Sequence, residues 1–432
     1  MAQAKRPNLL LIMTDQQTHD AMSCAGNRWL KTPAMDSLAS NGVRFAQTIC
    51  AYPVCSPSRG SIFTSRMPHE TGVRLNNGTI PASMPTMGEI FRDAGYKTVY
   101  GGKWHLPKTF DGMTGFEKLI GGSSQGKDMD APLASACAKW LRAAPAEPFL
   151  MVASFMNPHD ICEWIREHAG THDYPEVKTY PPIPANWPVD PEEPACIQYH
   201  RTGKYDLMSE AVAIAAEWKP ADMRKYVHDY YRMVEDVDMQ IGILLAALRE
   251  KGLEQNTVVI FVSDHGEGMC AHKWAQKASF YEESVRVPMI ISGPGIARKG
   301  AVDNRTLASL TDILPTFCDY AGIAPPKTIH GVSLKPVVEG RPIVREFAVS
   351  ELRYGSAERE GRMLRSTRFK YVVFNSGARP EQLFDLSIDP GETLNVARDA
   401  SYAPILKQHR DQLKRWIAET NDDFQTPIKE HV

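Results

Sequence analysis

The apolar positions of this chain fall mostly into short unbroken runs. Asn8–Met13, Thr98–Tyr100, Phe149–Phe155, Thr257–Val262 and Met289–Ser292 each read as a strand covered on both faces, because a strand with one wet face would alternate. Between them the apolar spacing becomes helical. Helices are expected from Thr32 to Asn41 with Gly42 as the stop, and from Met87 to Ala94 with Gly95 as the stop. A long helix is expected from Lys219-Pro220 to Lys251, where Tyr230, Val234, Val237, Ile241 and Leu245 make one face and Gly252 ends it. Buried strands alternating with helices predict an α/β fold: a large, mixed but mostly parallel sheet flanked by helices.

Near Pro342 the pattern changes. Phe347–Leu352, Arg362–Ser366, Lys370–Phe374 and Gln382–Asp385 are short strand-like runs separated by turns, and Tyr402–Thr420 is amphipathic. We therefore expect a catalytic-type domain over residues 1–342 and a smaller C-terminal α+β subdomain, antiparallel sheet plus helix, over 343–432. Residues 160 to about 205 are rich in Pro, Asp, Glu and aromatics without a period, and read as an irregular excursion. With the segment up to 218, it is the candidate for shaping a substrate site.

Composition narrows the functional classes. The chain has 432 residues, 43% of them hydrophobic, so a sizeable core is available. The 49 basic and 51 acidic residues leave a net charge of −2, which argues against a general nucleic-acid or membrane-surface binder. An anionic substrate would need locally placed cations. Met1–Arg6 are polar and the first apolar run is too short for a leader or a span, so the chain reads as cytoplasmic, unless a leader is absent from the sequence as given. The eight cysteines, Cys24, Cys50, Cys55, Cys137, Cys162, Cys196, Cys270 and Cys318, form no CxxC pair, which suits free thiols.

Four of the strand-like runs end in polar residues: Asp15 and Gln16; Lys103 and His105; His159; Asp264 and His265. Open α/β sheets bind their ligands at the carboxyl ends of strands, so these groups are expected at one edge. Each alone has an ordinary structural alternative: a cap for Asp15, a solvated lysine for Lys103, a core histidine for His105. Cys55-Ser56-Pro57-Ser58-Arg59 adds a cysteine just before a helix that Pro57 can open and that runs to about Ser65. Arg59 stands one turn on, with a planar fork suited to an oxyanion.

The order C-S-P-S-R, continued by Gly60 to Arg66, resembles the type I sulfatase family of the alkaline-phosphatase-like superfamily. Further stretches are similar to the family in the expected order: Thr32-Pro33-Ala34-Met35-Asp36-Ser37-Leu38-Ala39, the G-K-W-H of Gly102–His105, Ala271–Pro288, Ser309–Thr316, which implies a helix from Leu307 to Ala321, and Glu381–Leu386 with Asp389–Glu392. The resemblance implies that a formylglycine-generating enzyme oxidises Cys55 to formylglycine, whose hydrate is the nucleophile. It implies one divalent cation, calcium first, among Asp15, Gln16, Cys55, Asp264 and His265. Gln16 and His265 replace the acid and the amide common in relatives, which leaves magnesium or manganese as alternatives.

The roles implied are these. Asp264 accepts the nucleophile's proton. Arg59 and Lys103 hold the hydrate and its alkoxide. His159 and Lys277 hold the sulfate and serve the departing oxygen. His105 takes the proton of the second hydroxyl, so that aldehyde and sulfate part. His19, His272 and Arg353 are further candidates for substrate contact, weighed against structural roles. The substrate implied is a small sulfated saccharide. Two alternatives stay open: a formylglycine-dependent phosphonate monoester or phosphodiester hydrolase, and a non-catalytic binder of sulfated glycan with Cys55 left as a thiol.

Overall fold

The computed structural model describes residues 6–76, 78–106, 115–121, 125–145, 147–166, 174–203 and 206–428. Eight strands form the main sheet: β1 (Asn8–Asp15), β2 (Gly42–Ile49), β3 (Lys97–Gly102), β4 (Glu117–Ile120), β5 (Phe149–Pro158), β6 (Thr257–Ser263), β7 (Arg286–Ser292) and β8 (Ala301–Ser309). Their order is β4-β3-β5-β1-β6-β7-β2-β8. Strands β3, β5, β1 and β6 are mutually parallel neighbours, while β7 runs antiparallel to both β6 and β2. The expected mixed, mostly parallel sheet is the one observed.

The unbroken apolar runs have a direct cause. In β1, Leu9, Leu11 and Met13 join the core on one face with Leu150, Val152, Ile260 and Val262. Leu10 and Ile12 join the core on the other face with Met151, Ala153, Val259 and Phe261. Successive side chains point to opposite faces, so a strand covered on both sides must be apolar throughout. Helix Cys55–Thr64 covers the first face with Ile62 and Phe63, and Gly126–Arg142 and Pro220–Glu250 cover the second.

Several expectations are corrected. Gly126–Arg142 is a 17-residue helix that the sequence reading did not anticipate, although Met129, Leu133, Cys137 and Leu141 bury one face of it. Strands β2, β4 and β8 were also unanticipated. Leu307–Ser309 end β8, so the helix expected from Leu307 begins only at Ile313. The supposedly irregular excursion holds helices Ile161–Arg166, Ala195–Thr202 and Leu207–Ala216; its residues 167–173 and 204–205 lie outside the described set, as do residues 429–432 at the end of the expected C-terminal subdomain. Pro57 is the third helical residue rather than the first, because the helix starts at Cys55 itself with Val54 as its cap. The first-turn N–H groups lack intrahelical partners anyway, so proline is equally harmless there.

A second, antiparallel sheet is ordered β12-β11-β10-β9, from β9 (Ala348–Arg353), β10 (Glu360–Arg365), β11 (Phe369–Phe374) and β12 (Glu381–Asp385). Helix Ala403–Thr420 packs Leu406, Leu413 and Trp416 onto Leu364, Tyr371, Val373 and Leu383. Ion pairs fasten this second sheet to the segments around the main one. Fully buried Lys370 of β11 lies 2.9 Å from Glu282, just before β7, and 2.7 Å from Glu392, which follows β12. Arg345 grips Asp312 with both terminal nitrogens, at 2.7 and 2.5 Å.

His69 is the pH-sensitive member of the set. Its Nδ1 is 2.6 Å from Glu351 Oε1 on β9, and its Nε2 is 3.2 Å from the Thr420 carbonyl. Both partners are acceptors, so the doubly protonated ring satisfies both. Burial opposes the charge, but the Glu351 hydrogen bond and the charges of Glu351 and Asp422 raise the His69 pKa above its ordinary value. A raised folded-state pKa contributes stability that is complete below the unfolded value of about 6.5 and is lost as pH rises through the folded value. The stability difference between wild type and His69→Gln in urea unfolding is therefore expected to be larger near about pH 5.5 than near about pH 8.5. An equal difference at both would show that His69 is not held as the cation.

Candidate active site

The four parallel strands deliver their polar ends side by side. Asp15 closes β1, His159 follows β5, Lys103 and His105 follow β3, and Asp264 and His265 follow β6. The turn out of β3 depends on Gly102. It has φ +96°, and a Cβ there would lie 1.9 Å from the Ser154 carbonyl oxygen of β5, so the chain can turn beside its neighbour only without a side chain. Helix Cys55–Thr64 lays its N-terminus over this edge, and Arg59, four residues after Cys55, projects on the same helical face.

Arg59 is completely buried and ties the edge together. Its Nη2 lies 2.8 Å from Asp15 Oδ2 and its Nε 2.8 Å from Asp264 Oδ2. Its Nη1 donates to the Lys103 carbonyl at 2.6 Å and to Ser154 Oγ at 2.8 Å. Lys103 Nζ is also 2.8 Å from Asp15 Oδ2. Each carboxylate thus spends one oxygen on Arg59 and turns the other toward Cys55 and His265.

That second side is a compact set of donors. Cys55 Sγ lies 3.7 Å from Asp15 Oδ1 and 3.2 Å from His265 Nε2, and His265 Nε2 lies 3.6 Å from Asp264 Oδ1. One ligand atom each from Asp15, Cys55, Asp264 and His265 lie within 4.8 Å of one another, all buried. His265 Nδ1 sits 2.9 Å from the Gly266 carbonyl, which can only accept; the ring proton belongs there and Nε2 keeps its lone pair for the cluster. A hard cation with bonds of about 2.4 Å sets neighbouring ligands about 3.4 Å apart, so this donor set fits one.

Positive groups close on the sulfur from other directions. Lys277 Nζ lies 3.2 Å from Cys55 Sγ and Lys103 Nζ 3.7 Å from it. His105 and His159, both half-buried, stand close enough to Cys55 to influence its side chain, and the Nδ1 of each has no partner among the described residues. Burial alone would raise the Cys55 thiol, but Lys103 and then Lys277 hold it well below the ordinary thiol range. Burial, then the adjacent Lys103 and Lys277, push His159 down to about 3, so its ring is neutral. Burial and Cys55 oppose ionisation of Asp15, yet Lys103 and Arg59 hold it far below the usual carboxylate range. Asp264 is pushed up to about 6, by burial first and then by Asp15.

All the anticipated residues, Asp15, Gln16, Cys55, Arg59, Lys103, His105, His159, Asp264, His265 and Lys277, converge here. Gln16 turns its amide oxygen to Lys277 Nζ at 3.0 Å and donates its backbone N–H to Asp264 Oδ1 at 3.2 Å. The further candidates divide. His272 lies flat on Tyr281, ring centroids 3.7 Å apart, and Arg353 is paired with Glu360. His19 is half-buried, and its Nδ1 has no partner among the described residues.

The supporting groups are the ones the sequence reading missed. Asp130 accepts from the Met156 and Asn157 N–H groups at 2.7 and 3.0 Å, and Asp160 accepts from those of Gly126 and Lys127 at 2.7 and 2.9 Å. Together they lash helix Gly126–Arg142 to the end of β5, where His159 emerges. Asp130 had a legible signal, an acid among the apolar positions of its helix; Ser154, a lone hydroxyl in an apolar strand, had a weaker one.

The cysteine at a helix N-terminus and the two carboxylates that share Arg59 fit the hydrolase class that the sequence resembles, the alkaline-phosphatase-like superfamily. Comparison with known proteins identifies the group within it. A sulfatase family model matches residues 7–323, and one described as N-sulphoglucosamine sulphohydrolase, C-terminal, matches residues 270–419. The chain is 33% identical to a delta 4,5-hexuronate-2-O-sulfatase of Bacteroides thetaiotaomicron, over 98% of this chain and 92% of the relative. A solved structure of a 2-O GAG sulfatase superposes with a TM-score of 0.89 at 31% identity, covering 98% of this chain and 95% of that one. A phosphonate monoester hydrolase of Agrobacterium radiobacter shares the fold, with a TM-score of 0.78 at 24% identity and 96% of each chain covered. The chain belongs to the sulfatase family, and is a sulfuric ester hydrolase.

Removing the arginine tests the clasp. Arg59→Met leaves two buried carboxylates without their shared cation and is expected to lower the unfolding free energy by about 3–5 kcal/mol in urea titrations. A loss below about 1 kcal/mol would mean the carboxylates are compensated otherwise.

Proposed function

We propose that the substrate is a sulfated saccharide, with the sulfate ester of a hexuronic acid as the first candidate, and that Cys55 acts after conversion to formylglycine beside one bound calcium ion. The observation that carries this reading is the crowding of Lys103, Lys277, His105, His159 and His265 around the single Cys55 side chain, at the carboxyl edge of the sheet. The full-length similarity to a hexuronate 2-O-sulfatase supports the choice of sugar. Asp15, Asp264 and His265, with the Gln16 amide oxygen and the converted Cys55, would hold the cation. Mostly oxygen donors favour calcium over softer metals. The cation would neutralise sulfate charge, and formylglycine would supply a hydroxyl nucleophile with a second hydroxyl for release.

The chain's own residues do the rest. Lys103 and Lys277 bring two ammonium groups within 3.7 Å of the Cys55 sulfur, where an anionic ester must approach. They oppose the repulsion between an anion and its nucleophile. Arg59 keeps Asp15 and Asp264 ionised and oriented. Neutral His159 and charged Lys277 hold the sulfate and meet the departing oxygen. His105, half-buried beside Cys55, takes the proton from the Cys55-derived side chain when sulfate leaves.

A panel of sulfated saccharides, including 2-O-sulfated hexuronates, tests the substrate, alongside matched aryl sulfate, phosphate and phosphonate esters. Sulfate esters are expected to lead; a higher kcat/KM on the phosphonate ester would overturn the reading. Purified from a host with the maturation enzyme, the Cys55 peptide should be lighter than its thiol form, and a wholly unmodified, inactive pool would favour a glycan binder. His105→Ala is expected to lower kcat by about 10²–10⁴-fold with KM little changed. Chelation should abolish turnover, and calcium should restore more of it than magnesium.

A further inference from the structure

Glu267 ends the polar run after β6, and no step of the reaction above uses it. It is wholly buried, and donors from three separate elements converge on its carboxylate. Oε2 accepts from Gln16 Nε2 at 2.7 Å. Oε1 accepts from Tyr226 Oη at 2.7 Å and from the Gln276 backbone N–H at 2.6 Å. Tyr226 stands on the long helix Pro220–Glu250, and Gln276 immediately precedes Lys277. Burial pushes the Glu267 carboxyl up, and hydrogen bonds from Tyr226, Gln16, Gln276 and Met269 work against that shift.

A carboxylate can only accept hydrogen bonds. Its Oε2 therefore demands the nitrogen end of the Gln16 amide, and this turns the oxygen end toward Lys277 Nζ, 3.0 Å away. Its other oxygen pins the backbone one residue before Lys277, whose Nζ touches Cys55 Sγ at 3.2 Å. We propose that Glu267 is a positioning residue for the sulfatase reaction: with one oxygen it fixes which end of the Gln16 amide faces the reaction centre, and with the other it anchors the segment that carries Lys277. The inference rests on the reading of Gln16 as a ligand of the bound cation.

Glu267→Gln exposes the requirement. A glutamine at position 267 has one acceptor end and one donor end. If its nitrogen faces Gln16, two donors oppose each other, and the cheapest relief is a half-turn of the Gln16 amide that offers nitrogen to Lys277 and to the cation. If its nitrogen faces the Gln276 N–H, the anchor of Lys277 is lost instead. Exchanging the two groups, Gln16→Glu with Glu267→Gln, restores the match. A carboxylate at position 16 accepts from the amide at 267, whose oxygen still accepts from Gln276 and Tyr226.

The test compares full-length wild type, Gln16→Glu, Glu267→Gln and the exchanged double variant. Calcium affinity is measured by calorimetry, and urea unfolding is measured without the cation. Glu267→Gln is expected to bind calcium about 10–100-fold more weakly, the usual loss when a group behind a ligand is removed. The double variant is expected to bind more tightly than Glu267→Gln and to unfold at a higher urea midpoint than either single variant. Tyr226→Phe, which leaves both N–H contacts to Glu267 in place, should bind within about 3-fold of wild type. Calcium binding by Glu267→Gln within about 2-fold of wild type would overturn the proposal. So would a double variant with a midpoint no higher than the less stable single variant. If wild type itself binds no calcium, the cation reading falls, and the unfolding comparison alone decides the role of Glu267.

Discussion

The structure depends on one buried arrangement, the Arg59 guanidinium between Asp15 and Asp264. Two carboxylates cannot stay ionised side by side without water unless a cation compensates them. A planar fork with donors on two edges can meet both at 2.8 Å and still reach Ser154 and a backbone carbonyl. Lysine has one point of charge and could not. The same clasp joins β1, β6, the end of β3 and the nucleophile helix, so the interaction that stabilises the edge also orients the chemistry.

Compensation on one side leaves the other side free for function. Each carboxylate offers its second oxygen to a space shared with His265 and Cys55. The supports behind this space repeat one theme: acids that accept backbone N–H groups from other segments. Asp130 and Asp160 fix the end of β5, Asp238 accepts from Ala34 and Met35 at 3.0 and 2.9 Å to start helix Pro33–Ser40, and Glu267 fixes the segment before Lys277. A buried carboxylate with two or more such donors is rigid, because moving it would strand several polar groups at once. Rigid supports are what a charge-stabilising site needs, since donors that must reorganise during reaction lose much of their value.

Strands β1, β3, β5 and β6 were legible because burial on both faces forces a run of apolar residues, and the next polar residue then marks the sheet edge. The C-S-P-S-R stretch was legible because cysteine, proline and arginine each have narrow reasons to stand where they do. Strand β8 was not, since Ala301–Ser309 is an edge strand whose first half is largely wet and lacks the apolar run. Helix Gly126–Arg142 carries Pro132 near its start and is capped from afar by Asp160, so its local signals read as a break. The short helices in residues 160–218 owe their burial to the long helix and the second sheet rather than to their own periodicity.

By itself, then, the sequence determined the fold class and the strands whose ends meet at the site, because those follow from local periodicity, while the residues expected to act there came from the resemblance to the sulfatase family. Tertiary structure alone decided which oxygen of each aspartate is spent on Arg59, which end of the Gln16 amide faces inward, and which nitrogen of His265 keeps its lone pair. Those choices are made by groups brought in from other segments, 44 residues away for Asp15 and Arg59 and 251 for Gln16 and Glu267, or by a backbone carbonyl, and no spacing along a sequence records the direction in which such a group points.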